Sequence, residues 1–303
     1  MNKHTFPTEN KCSINTSPSL SQQLPITIYS PESDLRRPSV VIRGMLTDLI
    51  GARELAWRLA SRDIRAQYRG SFLGFLWAFI TPLISAATWL FLNAAGIVKV
   101  ADTDIPYAAY VFTGTMLWQT FTEALNSPLS EINQARAMLA KLNFPREALL
   151  ISGLLKLFYN AGIKVLIMLP IIMFLGVWPD WHLLLFPLGI VVLVLVGFAF
   201  GLLIAPIGML YNDVGRLLPI LTQLGMYTAP VVFAMPSGGI TATLFKLNFM
   251  TPVVLTTRAW LTGFASPMPL YFLAVAAGAT LVLLVAWFVF HITMPVIIER
   301  MSS

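Results

Sequence analysis

Long apolar runs alternate with short polar stretches from about residue 72 almost to the end of the chain. A helix needs about 20 apolar residues to cross the hydrocarbon core of a bilayer. The pattern therefore predicts an all-α integral membrane protein with six transmembrane helices. The predicted spans are about 72–95, 107–125, 148–169 (or on to 175), 183–204, 217–232 and 270–292. Pro82 removes a backbone donor inside the first span, so a kink is expected near Ala78.

Two of the connecting stretches are too long for simple turns. Residues 126–147 are polar, and positions 131–142 within them predict a short helix that Pro145 closes. Residues 237–269 mix Ser, Gly and Pro with apolar residues. This composition favours short re-entrant helices that dip into the outer leaflet, where protein covers their backbone groups.

A basic amphipathic stretch precedes the first span. Positions 57, 60, 64 and 68 share one stripe of a helix, and a second stripe lies about 100° further round. The two stripes consist of Trp57, Ala60, Ile64 and Tyr68 and of Arg58, Arg62, Arg65 and Arg69. We expect an interfacial helix over 46–70 whose arginines lie among anionic headgroups. A soluble amphipathic helix is the alternative, disfavoured by the apolar segment that follows.

The composition is that of a membrane protein. Hydrophobic residues make up 57% of the 303 residues and charged residues 11%, against about 25% charged in soluble domains. Residues 1–45 are polar and predict a flexible leader, with no signal peptide. Residues 46–70 and 71–303 are then the interfacial helix and the six-span domain.

The basic residues predict the orientation. With the N-terminus inside, fifteen Lys and Arg lie in the cytoplasmic segments and three in the outer loops. This bias places both termini in the cytoplasm. The net charge of +6 does not indicate nucleic-acid binding, because the basic residues collect at the ends of spans.

The sequence carries no recognisable catalytic or metal motif. It lacks a Gly-Lys dipeptide and therefore a phosphate-binding loop. His4, His182 and His291 are isolated, and Cys12 is the only cysteine. We therefore expect neither an enzyme nor a metal site. ATP-driven transport would need a separate subunit to hold ATP and Mg²⁺.

The third span contains three polar residues at four-residue intervals: Lys156, Asn160 and Lys164. At this spacing they share one face of a helix. Lys164 is near mid-depth, where a charge costs about 3 kcal/mol on insertion scales. It either contacts a phosphate or sugar in a wet cavity or is satisfied within the subunit. Glu123 and Lys156 lie at similar predicted depth, so we expect an ion pair between them.

Several motifs resemble one family in their order and spacing. W-x4-RDI-x3-Y-x-x-S-x-LG-x-x-W-x4-P runs from Trp57 to Pro82, KLNFPRE occupies 141–147, and YNDVGRLLPILTQ occupies 211–223. They are similar to the membrane subunit of bacterial ABC exporters for lipid-linked polysaccharides: O-antigen, capsule and teichoic acid. Residues 245–248 and 251–258 resemble the family's region after the fifth span, but three residues separate Asn248 from Pro252 where the family has Asn and Pro adjacent.

The resemblance implies a permease in the inner membrane that exports a glycan on a polyprenyl diphosphate carrier. It implies a homodimer of this chain bound to two copies of a cytoplasmic ATPase, in contact with membrane lipids. Alternatives are an ABC exporter of lipids or small amphiphiles and a membrane-bound glycan-modifying enzyme. The second alternative lacks a plausible catalytic set.

The resemblance also places a conduit between the first and fifth spans. Sugar rings stack on aromatic side chains, although each aromatic residue alone could equally face lipid or pack. The expected substrate path comprises Phe72, Phe75, Trp77, Phe79, Tyr227, Phe233 and Lys164. The expected ATPase-coupling residues are Glu131, Arg136, Lys141, Phe144 and Arg146. The expected gate and hinge comprise Arg69, Gly70, Ser71 and Pro82.

Overall fold

The computed structural model describes residues 38–67, 69, 76–97, 103–139, 145–236 and 238–302. One compact unit extends from Gly44 to Ser303. The unit Met1–Arg43 is described only from Pro38, as the first residues of a helix. Nearly all of the predicted leader 1–45 therefore lies outside the described residues.

All regular structure in the described residues is helical, which confirms the predicted all-α class. The helices are α1 (Pro38–Gln67), α2 (Trp77–Ala94), α3 (Tyr107–Leu139), α4 (Glu147–Phe174), α5 (Phe186–Leu210), α6 (Asn212–Thr228), α7 (Gly239–Leu247), α8 (Met250–Thr262) and α9 (Pro269–Ser302). A short 3-10 turn, Trp181–Leu184, precedes α5. Within the described residues, three helices are long and apolar enough to cross a membrane: Glu147–Phe174, Phe186–Leu210 and Pro269–Ile297.

Helix α5 occupies the centre of the compact unit and packs against α3, α8 and α9. Its surface is apolar all round, as expected of a helix with neighbours on several sides. Gly197 and Gly201 lie against the backbone of α3 at Phe121 and Leu125, where a Cβ on either glycine would collide. This small-residue pair lets the two helices approach at backbone distance.

Two predicted boundaries were wrong. The second span and the short helix expected at 131–142 form one continuous helix, α3, with Pro128 inside it. Buried residues at helical spacing, including Leu125, Leu129 and Ile132, continue across the start of the polar stretch. Packing therefore maintains the helix where polarity suggested a break. The loop expected after the fourth span is reduced to Tyr211, which has an extended backbone between α5 and α6.

Two short helices, α7 and α8, lie between α6 and α9, as the composition of 237–269 predicted. Asn248 connects them to the end of α6. Its side chain donates a hydrogen bond to the carbonyl oxygen of Thr228 at 2.9 Å. The same side chain accepts one from the amide of Met250, the first residue of α8, at 2.9 Å.

Helix α1 packs within the compact unit through small residues. Its fully covered residues include Ala52, Ala56 and Ala60, whereas Trp57 is 64% exposed. Protein therefore covers only part of the predicted apolar stripe, and the interfacial position of this helix stays a prediction. Small alanines face the compact unit because they permit close helix approach. Tyr68 lies outside the described residues.

Candidate functional site

A polar groove lies between α1, α3 and α4. The groove has a volume of about 550 Å³. Its charged and amide side chains are Asp63, Gln67, Glu123, Asn126, Glu131, Gln134, Lys156 and Asn160. Lys156 and Asn160 line the groove together, as their four-residue spacing predicted. The three helices thus border an open groove whose lining can hold water or a polar ligand.

Lys156 joins three helices within this polar groove. Its ammonium nitrogen lies 2.6 Å from Glu131 Oε1 on α3 and 3.0 Å from Asp63 Oδ2 on α1. Arg62 lies 2.9 Å from the other oxygen of Asp63. Burial alone would raise the pKa of Asp63, but hydrogen bonds from Lys156 and Arg62 outweigh it and lower that pKa. Asp63 therefore remains ionised and fastens α1 to the spans.

Lys164 is 5% exposed and lies 2.6 Å from Glu123. The predicted pair between Glu123 and Lys156 was therefore wrong. Helices α3 and α4 are antiparallel. Eight residues, or about 12 Å of helix, separate Glu123 from Glu131 on α3, and the same distance separates Lys156 from Lys164 on α4. Glu123 thus pairs with Lys164 while Glu131 pairs with Lys156. Lys164 therefore has a partner inside the subunit, which agrees with the second of the two interpretations given for this residue.

A basic groove runs along the exposed side of α1. It has a volume of about 460 Å³ and meets the polar groove at Ala66. Its lining includes Trp57, Arg58, Arg62, Arg65 and Arg69. Arg58 pairs with Glu54 at 2.6 Å, but Arg65 and Arg69 have no carboxylate partner among the described residues. The groove therefore presents uncompensated positive charge beside an aromatic ring.

An aromatic cluster joins α2 to the end of α6. The ring of Trp89 lies 5.5 Å from Phe233 and 6.1 Å from Tyr227, both edge-on. The structure thus brings together two residues of the predicted substrate path. Trp77 is 55% exposed at the start of α2, far along that helix from Trp89.

An arginine site lies behind the aromatic cluster. Arg258 of α8 is 4% exposed, and its guanidinium carbon is 3.7 Å from the centre of the Tyr110 ring. Its Nη2 donates to the carbonyl oxygen of Val231 at 3.0 Å. The Tyr110 hydroxyl is 3.2 Å from the carbonyl oxygens of Pro230 and Phe233, and can donate to one at a time. Arg258 and Tyr110 thus fix the turn that carries Phe233.

Gly114 makes the arginine site possible. A Cβ at this position would collide with Arg258 Nη2 and with the carbonyl oxygen of Val231. In the sequence, Arg258 is one of only three basic residues assigned to the outer loops. Its place in the stretch 251–258, which resembles the family, was the one signal that pointed to it.

The remaining predicted site residues are dispersed. Phe72, Phe75, Gly70, Ser71, Lys141 and Phe144 lie outside the described residues, as does the side chain of Phe79. Glu131 is buried in the polar groove, whereas Arg136 is exposed on the last turn of α3. Arg146 is half-buried just before α4, Arg69 is exposed after α1, and Pro82 is buried within α2. Their predicted roles in coupling and gating stay predictions.

Long apolar helices with ion-paired side chains between them are typical of a multi-pass membrane protein. The family described as ABC-2 type transporter matches residues 54–261, well over half of the chain. The chain therefore belongs to the ABC-2 type transporter family, and it is a transport permease rather than an enzyme. Permeases of this family pair with ATP-binding subunits. The matched region includes both grooves, the aromatic cluster and the arginine site.

The chain is similar to three bacterial proteins that carry the same name. Over 190 residues it is 29% identical to the O-antigen export system permease protein RfbA of Myxococcus xanthus, covering 62% of this chain and 72% of that protein. It is 28% identical to two proteins of the same name from Klebsiella pneumoniae, over 188 and 186 residues. Each match covers 58% of this chain and 67% of the relative.

Proposed function

We propose that this chain is the permease subunit of an exporter that moves a polyprenyl-diphosphate-linked, O-antigen-like polysaccharide across the inner membrane. The observation that carries the proposal is the family membership combined with relatives named as O-antigen export permeases. ATP hydrolysis takes place on a partner subunit, and two copies of the chain join two ATPase subunits. Six spans, with both termini in the cytoplasm, complete the proposed topology.

The basic groove supports the diphosphate part of this proposal. Arg65 and Arg69 are free of carboxylate partners among the described residues, and guanidinium groups bind phosphate oxygens in a bidentate manner. The groove lies on the helix that leads into the first span. A diphosphate held there would leave the attached glycan next to the polar groove, whose amides and carboxylates can bind sugar hydroxyls.

The aromatic cluster supports a path for the glycan between α2 and α6. Tyr227 is 39% exposed and Trp89 is half-buried, so part of each residue is accessible to a sugar. Phe72 and Phe75 would extend the path. Lys164, bound to Glu123, lies on the neighbouring helix α4 and could exchange that partner for a substrate phosphate.

Export can be tested in a strain that lacks this gene. The null strain should lose surface glycan and accumulate lipid-linked glycan on the inner leaflet, and the wild-type gene should restore export. Arg65→Gln with Arg69→Gln should reduce export strongly while the complex still assembles with its ATPase. The matched control is Arg53→Gln, another exposed arginine of α1 outside the groove.

Other outcomes would contradict the proposal. Normal surface glycan in the null strain, together with altered membrane lipids, would favour an exporter of lipids or small amphiphiles. Equal export by the groove variant and the control would remove the basic groove from the mechanism.

The topology can be tested by cysteine labelling after Cys12→Ser. An impermeant reagent applied from outside should reach a cysteine at exposed Thr243 and not one at exposed Gln134. The reverse pattern would overturn the proposed orientation.

A further inference from the structure

A carboxylate–histidine cluster joins three helices that are distant in the sequence. Asp48 is on α1, Glu147 is the first residue of α4, and His291 is on α9. Each contributes one ligand atom, and the three atoms lie within 4.8 Å of one another. His291 Nδ1 is 2.8 Å from Glu147 Oε1. Glu147 is buried, His291 is half-buried, and Asp48 lies at the exposed edge.

The charges of this cluster are incompletely compensated. Two carboxylates converge on a single imidazole, and Asp48 makes no hydrogen bond or ion pair with the described side chains. A cation between the two carboxylates would relieve the repulsion between them.

The donor types select the kind of cation. One imidazole nitrogen and two carboxylate oxygens suit a first-row divalent ion such as Zn²⁺, whereas Mg²⁺ and Ca²⁺ prefer oxygen ligands alone. Ligands of a tetrahedral Zn²⁺ lie about 3.4 Å apart, given metal–ligand bonds of about 2.1 Å. The separation of His291 Nδ1 and Glu147 Oε1 would therefore grow by about half an ångström. Exposure at Asp48 gives the ion a route in.

We propose that Asp48, Glu147 and His291 form a binding site for a divalent transition-metal ion that fastens α1 to α4 and α9. The ion would replace the proton that His291 shares with Glu147, and a water would occupy the fourth position. Asp48 lies before and His291 lies after the region 54–261 that matches the family. Two of the three ligands thus lie outside the matched region, whereas Glu147 is the last residue of the KLNFPRE motif within it.

The position of the site on α1 suggests its effect. Asp63, which Lys156 holds, lies fifteen residues further along the same helix, about 22 Å away. The buried alanines between these two positions already pack α1 within the compact unit. Metal binding at Asp48 would add an attachment near the start of the helix and hold that end more firmly.

Zinc binding to the full chain in detergent tests the proposal. The protein carries a purification tag without histidine and is stripped with EDTA before titration with Zn²⁺. We expect one Zn²⁺ per chain and a melting temperature that rises by several degrees with Zn²⁺ but not with Mg²⁺. Asp48→Asn changes only an exposed residue and should weaken zinc binding at least tenfold, as should His291→Gln.

The matched control is His182→Gln, because His182 also lies near a carboxylate, Asp180, at 3.7 Å but outside the cluster. It should bind zinc like the wild type. Wild-type protein that binds no zinc at micromolar concentration would overturn the site and leave a hydrogen-bonded Glu147–His291 pair only. Equal zinc binding by Asp48→Asn and the wild type would also overturn it, even if His291→Gln failed to fold.

Discussion

The polar groove and the arginine site each hold a largely buried cation, but they stabilise it differently. Lys156 has two carboxylates within 3.0 Å and lies beside a cavity of about 550 Å³. Arg258 has no carboxylate among the described residues, and its Nε and Nη1 have no hydrogen-bond partner. An aromatic ring and one carbonyl group contact it instead, in a space that Gly114 leaves open.

The difference concerns what can move. Ion pairs beside a wet cavity can exchange partners, since water and a second carboxylate are within reach. A guanidinium enclosed by a ring and a backbone carbonyl depends on shape and tolerates little displacement. The polar groove is therefore suited to a changing environment during transport. The arginine site is suited to fixing the turn that carries Phe233.

The largest effect is expected from Lys156→Met. The substitution leaves Glu131 and Asp63 facing each other without a cation, and removing one member of a buried pair costs about 3 kcal/mol or more. Thermal unfolding in detergent measures it. Lys246→Met, at an exposed lysine of α7, should leave stability unchanged. A small loss at Lys156 would mean that water in the groove replaces the lysine without cost.

Gly114→Ala tests whether the arginine site is rigid. The added methyl group should destabilise the protein by about 2 kcal/mol, because overpacking forces the Val231 carbonyl and Arg258 apart. The matched control is Gly162→Ala on α4, where nothing surrounds the new Cβ and higher helix propensity should be neutral or slightly stabilising. Equal stability of both variants would show that the arginine site adapts.

A double-mutant cycle on Glu123 and Lys164 sharpens the account of the polar groove. Glu123→Gln and Lys164→Gln should show a coupling of about 1 kcal/mol, modest because the Glu123 side chain is 42% exposed. The cycle of Glu123 with Lys156, the pair expected from predicted depth, should show coupling near zero. The opposite ranking would contradict the helix register described here.

The smallest effect is a pH dependence from Asp63. Its pKa is lowered from the ordinary value of 3.8, so its ion pairs stabilise the folded protein above that value. This contribution declines as pH falls through the lower folded-state pKa. The melting-temperature difference between wild type and Asp63→Asn should be constant from about pH 5 to 7 and shrink below about pH 4. A constant difference down to about pH 2 would contradict the assignment.

Sequence patterns predicted the helices better than the contacts between them. Apolar runs located α4, α5 and α9 closely, because hydrocarbon requires long apolar helices. The polar residues at 126–147 wrongly predicted a break in the helix, because buried leucines keep α3 continuous as far as Leu139. The partner of Glu123 could not be predicted, because it depends on the register of two packed helices.

The burial of Arg258 and the meeting of residues distant in the chain could also not be predicted from the sequence. Arg258 resembles any loop arginine until the ring of Tyr110 on α3 and the carbonyl group of Val231 contact it. His291 appeared isolated, because Asp48 and Glu147 reach it only after α1, α4 and α9 assemble. The family resemblance was informative because it depends on the order and spacing of several motifs. A single residue contains no such information.

The two ion pairs between α3 and α4 restrict how these helices can move. Glu123–Lys164 and Glu131–Lys156 are both satisfied in one alignment. A slip by one turn, about 5.4 Å, would separate all four charges at once. Sliding is thus opposed at two points, while rigid rotation breaks neither pair. We therefore expect α3 and α4 to move together as one rigid body.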